Sequence, residues 1–240
     1  MGVDSLTRAT FVRHGQSTGN AGQPTRDLVA MPLTPLGVAQ ARQVAAGWTG
    51  EPTHIVSSPF LRARQTAEPS CVRFPGVPMA IWPIHEFTYL CPARWADTTR
   101  TQRRPAVEAY WQLGDPAHVD GEGAESFSQV LRRAEQALAR LAALPEDAEV
   151  FLFSHGQFMQ AVRLAVERPA DTDDDRMARF WPFDQRSPVL NCQKLVLGRA
   201  QGAWRVLGDE LLMPPEMPLT MEPRAASARG TGTGGRHGPG

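Results

Sequence analysis

Thr10-Phe11-Val12-Arg13-His14-Gly15-Gln16-Ser17-Thr18-Gly19-Asn20 is the stretch on which the reading of this chain turns. A short apolar run breaks off at Arg13 and hands over to a histidine and a glycine. The pattern returns in Val150-Phe151-Leu152-Phe153, which leads into Ser154-His155-Gly156. Between the two, His54-Ile55-Val56 leads into Ser57-Ser58-Pro59 and then Arg62. Short apolar runs bounded by turn residues read as buried strands. Their alternation with helical stretches predicts an α/β fold, a three-layer sandwich with a mostly parallel central sheet. In such a sheet the strand carboxyl ends share one edge, and ligands bind there. His14, His155, Arg13 and Arg62 on that edge make an anion site with a candidate nucleophile.

The rest of the chain fits around these strands. Thr34 is placed to cap a helix with Pro35 at its first position, running to about Trp48. Ser58 and Pro59 open another capped helix, and residues 79–83 read as a third strand ahead of His85 and Glu86. A helix is predicted over 98–113. Phe127, Val130, Leu131, Ala134, Leu138 and Leu141 recur at helical spacing, so 125–144 is the clearest helix, stopped by Pro145. Residues 149–153 read as a strand and 157–167 as a helix. Residues 192–197 and 203–208 form a closing strand pair around Gly202. Asp171 to Asp175 reads as a solvated acidic loop, since it lacks the spacing of a calcium site.

One domain is expected over 1–221, with 84–124, rich in aromatics and turns, as a lid or substrate insertion over the strand edge. Phe87, Tyr89, Leu90, Trp95 and Trp111 suit either a pocket lining or the core of that insertion. Arg100, Arg103 and Arg104 read as a solvated helix face, with a subsite for a second anionic group as the alternative. Residues 222–240 are Gly, Ala, Arg and Pro in the main and are expected to form a disordered tail.

Composition narrows the function. The 240 residues carry zero formal net charge. That leaves no global electrostatic footprint for nucleic acid or an anionic membrane. No apolar run reaches the length of a membrane span. Lys194 is the only lysine, so the basic side is otherwise arginine. Cys71, Cys91 and Cys192 are odd in number and widely spaced, which suits reduced thiols in a cytoplasmic protein better than a disulfide framework or a zinc site. None lies in a Cys-x5-Arg loop, which disfavours a cysteine phosphatase.

Taken in order, the motifs resemble the histidine phosphatase superfamily, also called the phosphoglycerate-mutase-like family. The resemblance rests on TFVRHGQSTGN at 10–20, on Leu33-Thr34-Pro35-Leu36-Gly37 with Gln40-Ala41, and on Ser57 to Ala67. Gly123-Ala124-Glu125-Ser126 with Arg133, and Ser154-His155-Gly156, complete it. It implies a metal-independent phosphatase, without cofactor, that hydrolyses small phosphomonoesters through a phosphohistidine on His14. Arg13, Arg62 and His155 would then clamp the phosphoryl oxygens, and Ser17 and Asn20 would add neutral hydrogen bonds. Gly15 would let the backbone approach the phosphate. Arg13 beside His14 would help keep the imidazole neutral. Glu86, after the third strand, is the expected general acid; Glu125 is the rival and is read as mainly structural. The sequence around Glu86 lacks the extended motif expected in glycolytic mutases. A mutase of the same family is therefore the alternative, followed by an inert binding module. The partner expected is a small-molecule phosphomonoester, with neither nucleic acid nor membrane, and a homodimer is compatible with it.

Overall fold

The computed structural model describes residues 6–211. Six strands form one sheet: β1 (Thr7–Arg13), β2 (His54–Ser57), β3 (Met79–Ile81), β4 (Glu149–Ser154), β5 (Lys194–Ala200) and β6 (Ala203–Glu210). Their spatial order is β3-β2-β4-β1-β5-β6. β3, β2, β4 and β1 run parallel, and β5 and β6 close the sheet antiparallel. Six helices accompany it: α1 (Pro35–Ala46), α2 (Leu61–Arg73), α3 (Arg100–Leu113), α4 (Phe127–Ala142), α5 (Gly156–Glu167) and α6 (Asp173–Arg186). The expected tail, 222–240, and the end of the expected 1–221 span lie outside the described residues.

Strand alternation makes the three layers. Ala9, Phe11, Val150 and Leu152 face one side and pack with the apolar faces of α4, α5 and α6. Val12, Phe151 and Phe153 face the other and pack with Val44, Trp48 and Ala67 from the α1–α2 layer. Trp48 stacks on Phe151 at 3.6 Å between centroids. A fully buried ring such as Phe11 or Phe153 contributes about 2–3 kcal/mol. Because both faces are covered there, the central strands carry continuous apolar runs, Ile55-Val56 in β2 and Val150 to Phe153 in β4, rather than alternating with polar residues.

β4 lies between β1 and β2, so the chain skips a strand position on its first crossover. That reversal opens a crevice at the carboxyl ends of the parallel strands. The register aligns those ends: Arg13 pairs with Ser154, and Ser57 with Phe153. The residues that follow, His14, Ser58 and His155, therefore emerge side by side.

Two local expectations are corrected. Asp171 to Asp175 is not a loop: Thr172 caps α6 in a reciprocal capping box with Asp175, and Asp173, Asp174 and Asp175 occupy the first turn. Carboxylates there are favoured by the helix dipole, so the acidic run is a start signal. Met177, Phe180 and Asp184 then point inward at helical spacing. Ser58 does not cap α2, which starts at Leu61 after Phe60. Its hydroxyl instead accepts from the Phe60 N–H at 3.2 Å, leaving it free to reach His155. No helix among the described residues is long and apolar enough to cross a membrane.

Candidate active site

His14 leaves the end of β1 buried, only 2% exposed. Its Nδ1 lies 2.7 Å from the Gly15 carbonyl oxygen, and its Nε2 lies 3.0 Å from Arg62 Nε. A carbonyl can only accept, and a guanidinium can only donate. The tautomer follows: Nδ1 carries the proton and Nε2 holds the lone pair. The ring is held neutral, with its pKa well below the ordinary value. Burial is the first cause, the Arg62 charge the second and Arg13 the third, so Arg13 matters less than its adjacency in sequence implies.

The loop that carries His14 is braced by α1 and α2. Gly15 N–H donates to Thr66 Oγ1 at 3.0 Å, and Thr66 Oγ1 donates in turn to the Arg62 carbonyl at 2.7 Å. Gln16 N–H donates to Gln40 Oε1 at 2.8 Å, and Thr34, the cap of α1, hydrogen-bonds Gln16. A side chain on Gly15 would meet the Gly37 carbonyl oxygen at 2.5 Å, and one on Gly37 would meet the Gln16 oxygen at 2.1 Å. Gly15 is thus needed for close packing of the loop against α1, and its N–H is already engaged within the fold.

Arg62, 4% exposed, spans the site from the second position of α2. Besides His14 it donates to the Leu28 carbonyl at 2.6 Å, and its guanidinium lies 5.0 Å from the Phe60 ring centroid. Burial lowers its pKa to about 10, which leaves it charged at neutral pH. Arg13 donates through Nη1 to the Val189 carbonyl at 2.6 Å, while its buried Nε has no partner. Gly156 makes room for it: a Cβ there would sit 3.4 Å from Arg13 Nε.

His155, fully buried, sits against His14 edge to face at 5.1 Å. Its Nε2 is 2.8 Å from Ser58 Oγ, and its Nδ1 is buried without a partner. Burial, then Arg62, hold it neutral. Two buried polar atoms at one strand edge, Arg13 Nε and His155 Nδ1, thus lack partners. Such atoms cost about 1–3 kcal/mol each unless a ligand or water satisfies them.

Glu86 follows β3 and reaches the start of α5. Its Oε1 lies 3.1 Å from Gln157 N and 3.3 Å from Phe158 N. Burial nevertheless raises its pKa, against Arg62 and Arg13, which lower it. Glu86 and Arg62 both line an open cavity of about 580 Å³. His14 does not itself line it and is reached through its hydrogen bond from Arg62.

Other expected residues are spent differently. Ser17, 1% exposed, donates its hydroxyl to Asn20 Oδ1 at 3.1 Å. Asn20 is exposed and accepts from Ser17 N–H, leaving its own amide nitrogen without a partner among the described residues. Both oxygens of Glu125 are held by Arg133, at 2.7 and 2.6 Å, and Arg133 also donates to the carbonyls of Pro83 and His85. Glu125 therefore fixes the segment that presents Glu86. Phe87, Tyr89, Leu90 and Trp95 line the cavity, whereas Trp111 is core, stacked on Phe180 and Trp181.

Three site neighbours had no signal in the motifs. Asn191 donates to the His14 carbonyl at 2.9 Å and to Asn20 Oδ1 at 3.2 Å. Gln157 donates its side-chain amide to Asp184 at 3.2 Å. Asp184 reaches the cavity only because α6 exists.

Known proteins share this fold. A curated plant protein, the metal-independent phosphoserine phosphatase of Arabidopsis thaliana, is 25% identical over 166 residues, which are 67% of this chain and 69% of that protein. The structure of mycobacterial hydrolase 1 covers 84% of this chain and 96% of its own at 25% identity, with a TM-score of 0.66. A phosphoserine phosphatase from Entamoeba histolytica, solved with 3-phosphoglyceric acid, shares the fold at 19% identity and a TM-score of 0.68, covering 86% of this chain and 98% of its own. The family model of the histidine phosphatase superfamily, branch 1, matches residues 9–205. The chain belongs to the histidine phosphatase superfamily, as a phosphoric monoester hydrolase of that family.

Proposed function

We propose that this chain hydrolyses small-molecule phosphomonoesters without a metal, through a phosphohistidine on His14. The observation that carries the reading is the fixed tautomer of His14. Its Nδ1 proton is committed to the Gly15 carbonyl, and its Nε2 lone pair faces Arg62. On binding, a phosphoryl oxygen takes over the Arg62 N–H, which frees Nε2. Nε2 attacks phosphorus, the ester P–O bond breaks, and the leaving alkoxide takes the proton of Glu86. Water then gives a proton to the Glu86 carboxylate and attacks phosphorus. The P–N bond breaks, returning His14 and inorganic phosphate. Arg13, Arg62 and His155 neutralise the equatorial oxygens, the main service a protein offers to phosphoryl transfer. Arg13 Nε and His155 Nδ1, unpartnered in the fold, are suited to that service.

Ser17, Asn20 and Gly15 shape and hold the His14 loop in this reading, with the free amide of Asn20 as its neutral donor to phosphate. Residues 84–124 form the substrate-binding part. The three free thiols suit a cytoplasmic enzyme. The test is phosphate release from p-nitrophenyl phosphate in excess chelator, with His14→Ala alongside. Release that survives chelation and vanishes in the variant, together with an acid-labile phosphoenzyme in rapid quench, is expected. Substantial turnover by His14→Ala would remove the nucleophile assignment.

A further inference from the structure

The cavity bordered by Arg62 and Glu86 is far larger than a phosphate requires. Its volume of about 580 Å³ lies in the range that encloses a drug-sized ligand. Phosphate or a three-carbon phospho-acid would fill a small part of it. Its wall has three kinds of surface. Arg62 and Glu86 supply the reacting groups. Tyr89, Trp95 and Trp181 supply aromatic surface, with Trp181 backed by Trp111 in a stacked pair at 5.0 Å. The first turns of α3 supply Arg100, Arg103 and Arg104.

Arg100 and Arg104 are exposed and Arg103 is half-buried, as a solvated helix face would be, yet all three also border the cavity, and they are not equivalent. Arg104 is paired with Glu108 at 2.8 Å. Arg103 uses only Nη1, on the carbonyl and hydroxyl of Thr98. Arg100 makes no side-chain hydrogen bond or ion pair among the described residues. Residues three apart share a helix face, so Arg100 and Arg103 can act together with N–H groups to spare. Their position is also unusual. The start of α3 has no acidic residue, and cations at a helix N-terminus are disfavoured. An anion between them would relieve that cost. Of the carboxylates in the wall, Glu108 is taken by Arg104, and Asp184 accepts from Gln157 while also feeling the Arg100 charge.

Resting on the phosphatase reading above, we propose that the substrate is a phosphomonoester with a ring-bearing body and a second anionic group. The phosphate lies at His14, the ring lies on Tyr89, Trp95 and Trp181, and the second anion, a carboxylate or a further phosphate, meets Arg100 and Arg103. Three-carbon phospho-acids are then poor substrates, because they cannot cover the aromatic wall.

The experiment compares primary-alkyl phosphates, whose leaving groups are alike: ethyl phosphate, naphthylethyl phosphate and its carboxynaphthyl counterpart, with phosphoserine and p-nitrophenyl phosphate in the same panel. Each added group is expected to raise kcat/KM by about tenfold, the effect of one good contact. In Arg100→Ala/Arg103→Ala the ratio between the carboxylated and plain naphthyl substrates should fall to about one. In Trp181→Ala the ratio between naphthylethyl and ethyl phosphate should fall. A flat series, or phosphoserine matching the carboxylated ring substrate, would overturn the inference. If p-nitrophenyl phosphate is still hydrolysed in that case, the phosphatase reading stands alone. No release from any substrate removes both. A carboxylate ratio unchanged in the double variant removes the arginine subsite.

Discussion

At the scale of the residue, the chemistry depends on protonation states that burial sets. On the proposed mechanism His14 must be neutral to attack, and burial holds its pKa well below the ordinary histidine value. On the same mechanism Glu86 must be protonated to serve the leaving group, and burial raises its pKa. The two requirements overlap between the lowered histidine and the raised carboxyl. Activity on alkyl phosphates should therefore fall as pH rises through the pKa of Glu86. Glu86→Gln should slow alkyl phosphates by about 10²–10⁴-fold, the usual worth of a positioned acid. Aryl phosphates, whose leaving groups need little help, should lose far less. A pH–rate profile on both substrate types checks this, and equal losses would move the acid role away from Glu86.

At the scale of the element, the motif blocks are joints between elements as much as catalytic groups. The Gly15–Gly37 contact lets the His14 loop lie on α1 with no side chain between them. Gly37→Ala places a Cβ 2.1 Å from a backbone oxygen, which cannot move aside as a side-chain tip would. It should cost about 1–3 kcal/mol by overpacking and should lower activity through misplacement of His14. Urea denaturation with a parallel rate assay reads both effects. In α6 the joint is the cap. Thr172→Ala removes the side chain that accepts from Asp175 N–H and should cost about 1 kcal/mol. The same denaturation measurement checks it, and a loss within error would mean that packing of Met177 and Phe180 alone sets the start of the helix.

At the scale of the whole molecule, burying neutral histidines ties stability to pH. His85 stacks on Phe60 at 5.4 Å, and its pKa is lowered from 6.5 to about 4, by burial first and by Arg133 second. The unfolded chain binds that proton near 6.5 and the native state only near 4. Between these values the unfolded state holds more protons, so stability falls as pH falls. His14 and His155 act in the same direction. Glu86 acts oppositely: its native carboxyl keeps a proton above 4.5, so its contribution to stability shrinks as pH rises through that window. Glu149 and Asp184, also raised by burial, act with Glu86, but His14 and His155 are held well below the ordinary histidine value, so the thermal midpoint should drop on acidification below 6.5. His85→Phe should remove its share of the drop, and a midpoint that does not change with pH would contradict the buried-neutral assignment.

The sequence by itself determined the strands, the sheet class and the groups at the strand ends. Apolar runs that stop at Arg13, Ser57 and Ser154 are local signals, and parallel sheets gather such ends on one edge whatever the loops do. The choice of Glu86 over Glu125 was also legible as an expectation, although only the bidentate hold of Arg133 explains Glu125 physically. The start of α6 was written in Thr172 and Asp175 but masked by an acidic run that reads equally well as solvent-exposed loop. Tertiary structure alone decided the tautomer of His14, the ranking of Arg62 above Arg13 as its charged neighbour, the parts played by Asn191 and Asp184, and the turning of Arg100 and Arg103 into the cavity. Each of these depends on groups distant in sequence meeting in a low-dielectric interior. Neither periodicity nor spacing encodes where such groups meet or how deeply they are buried.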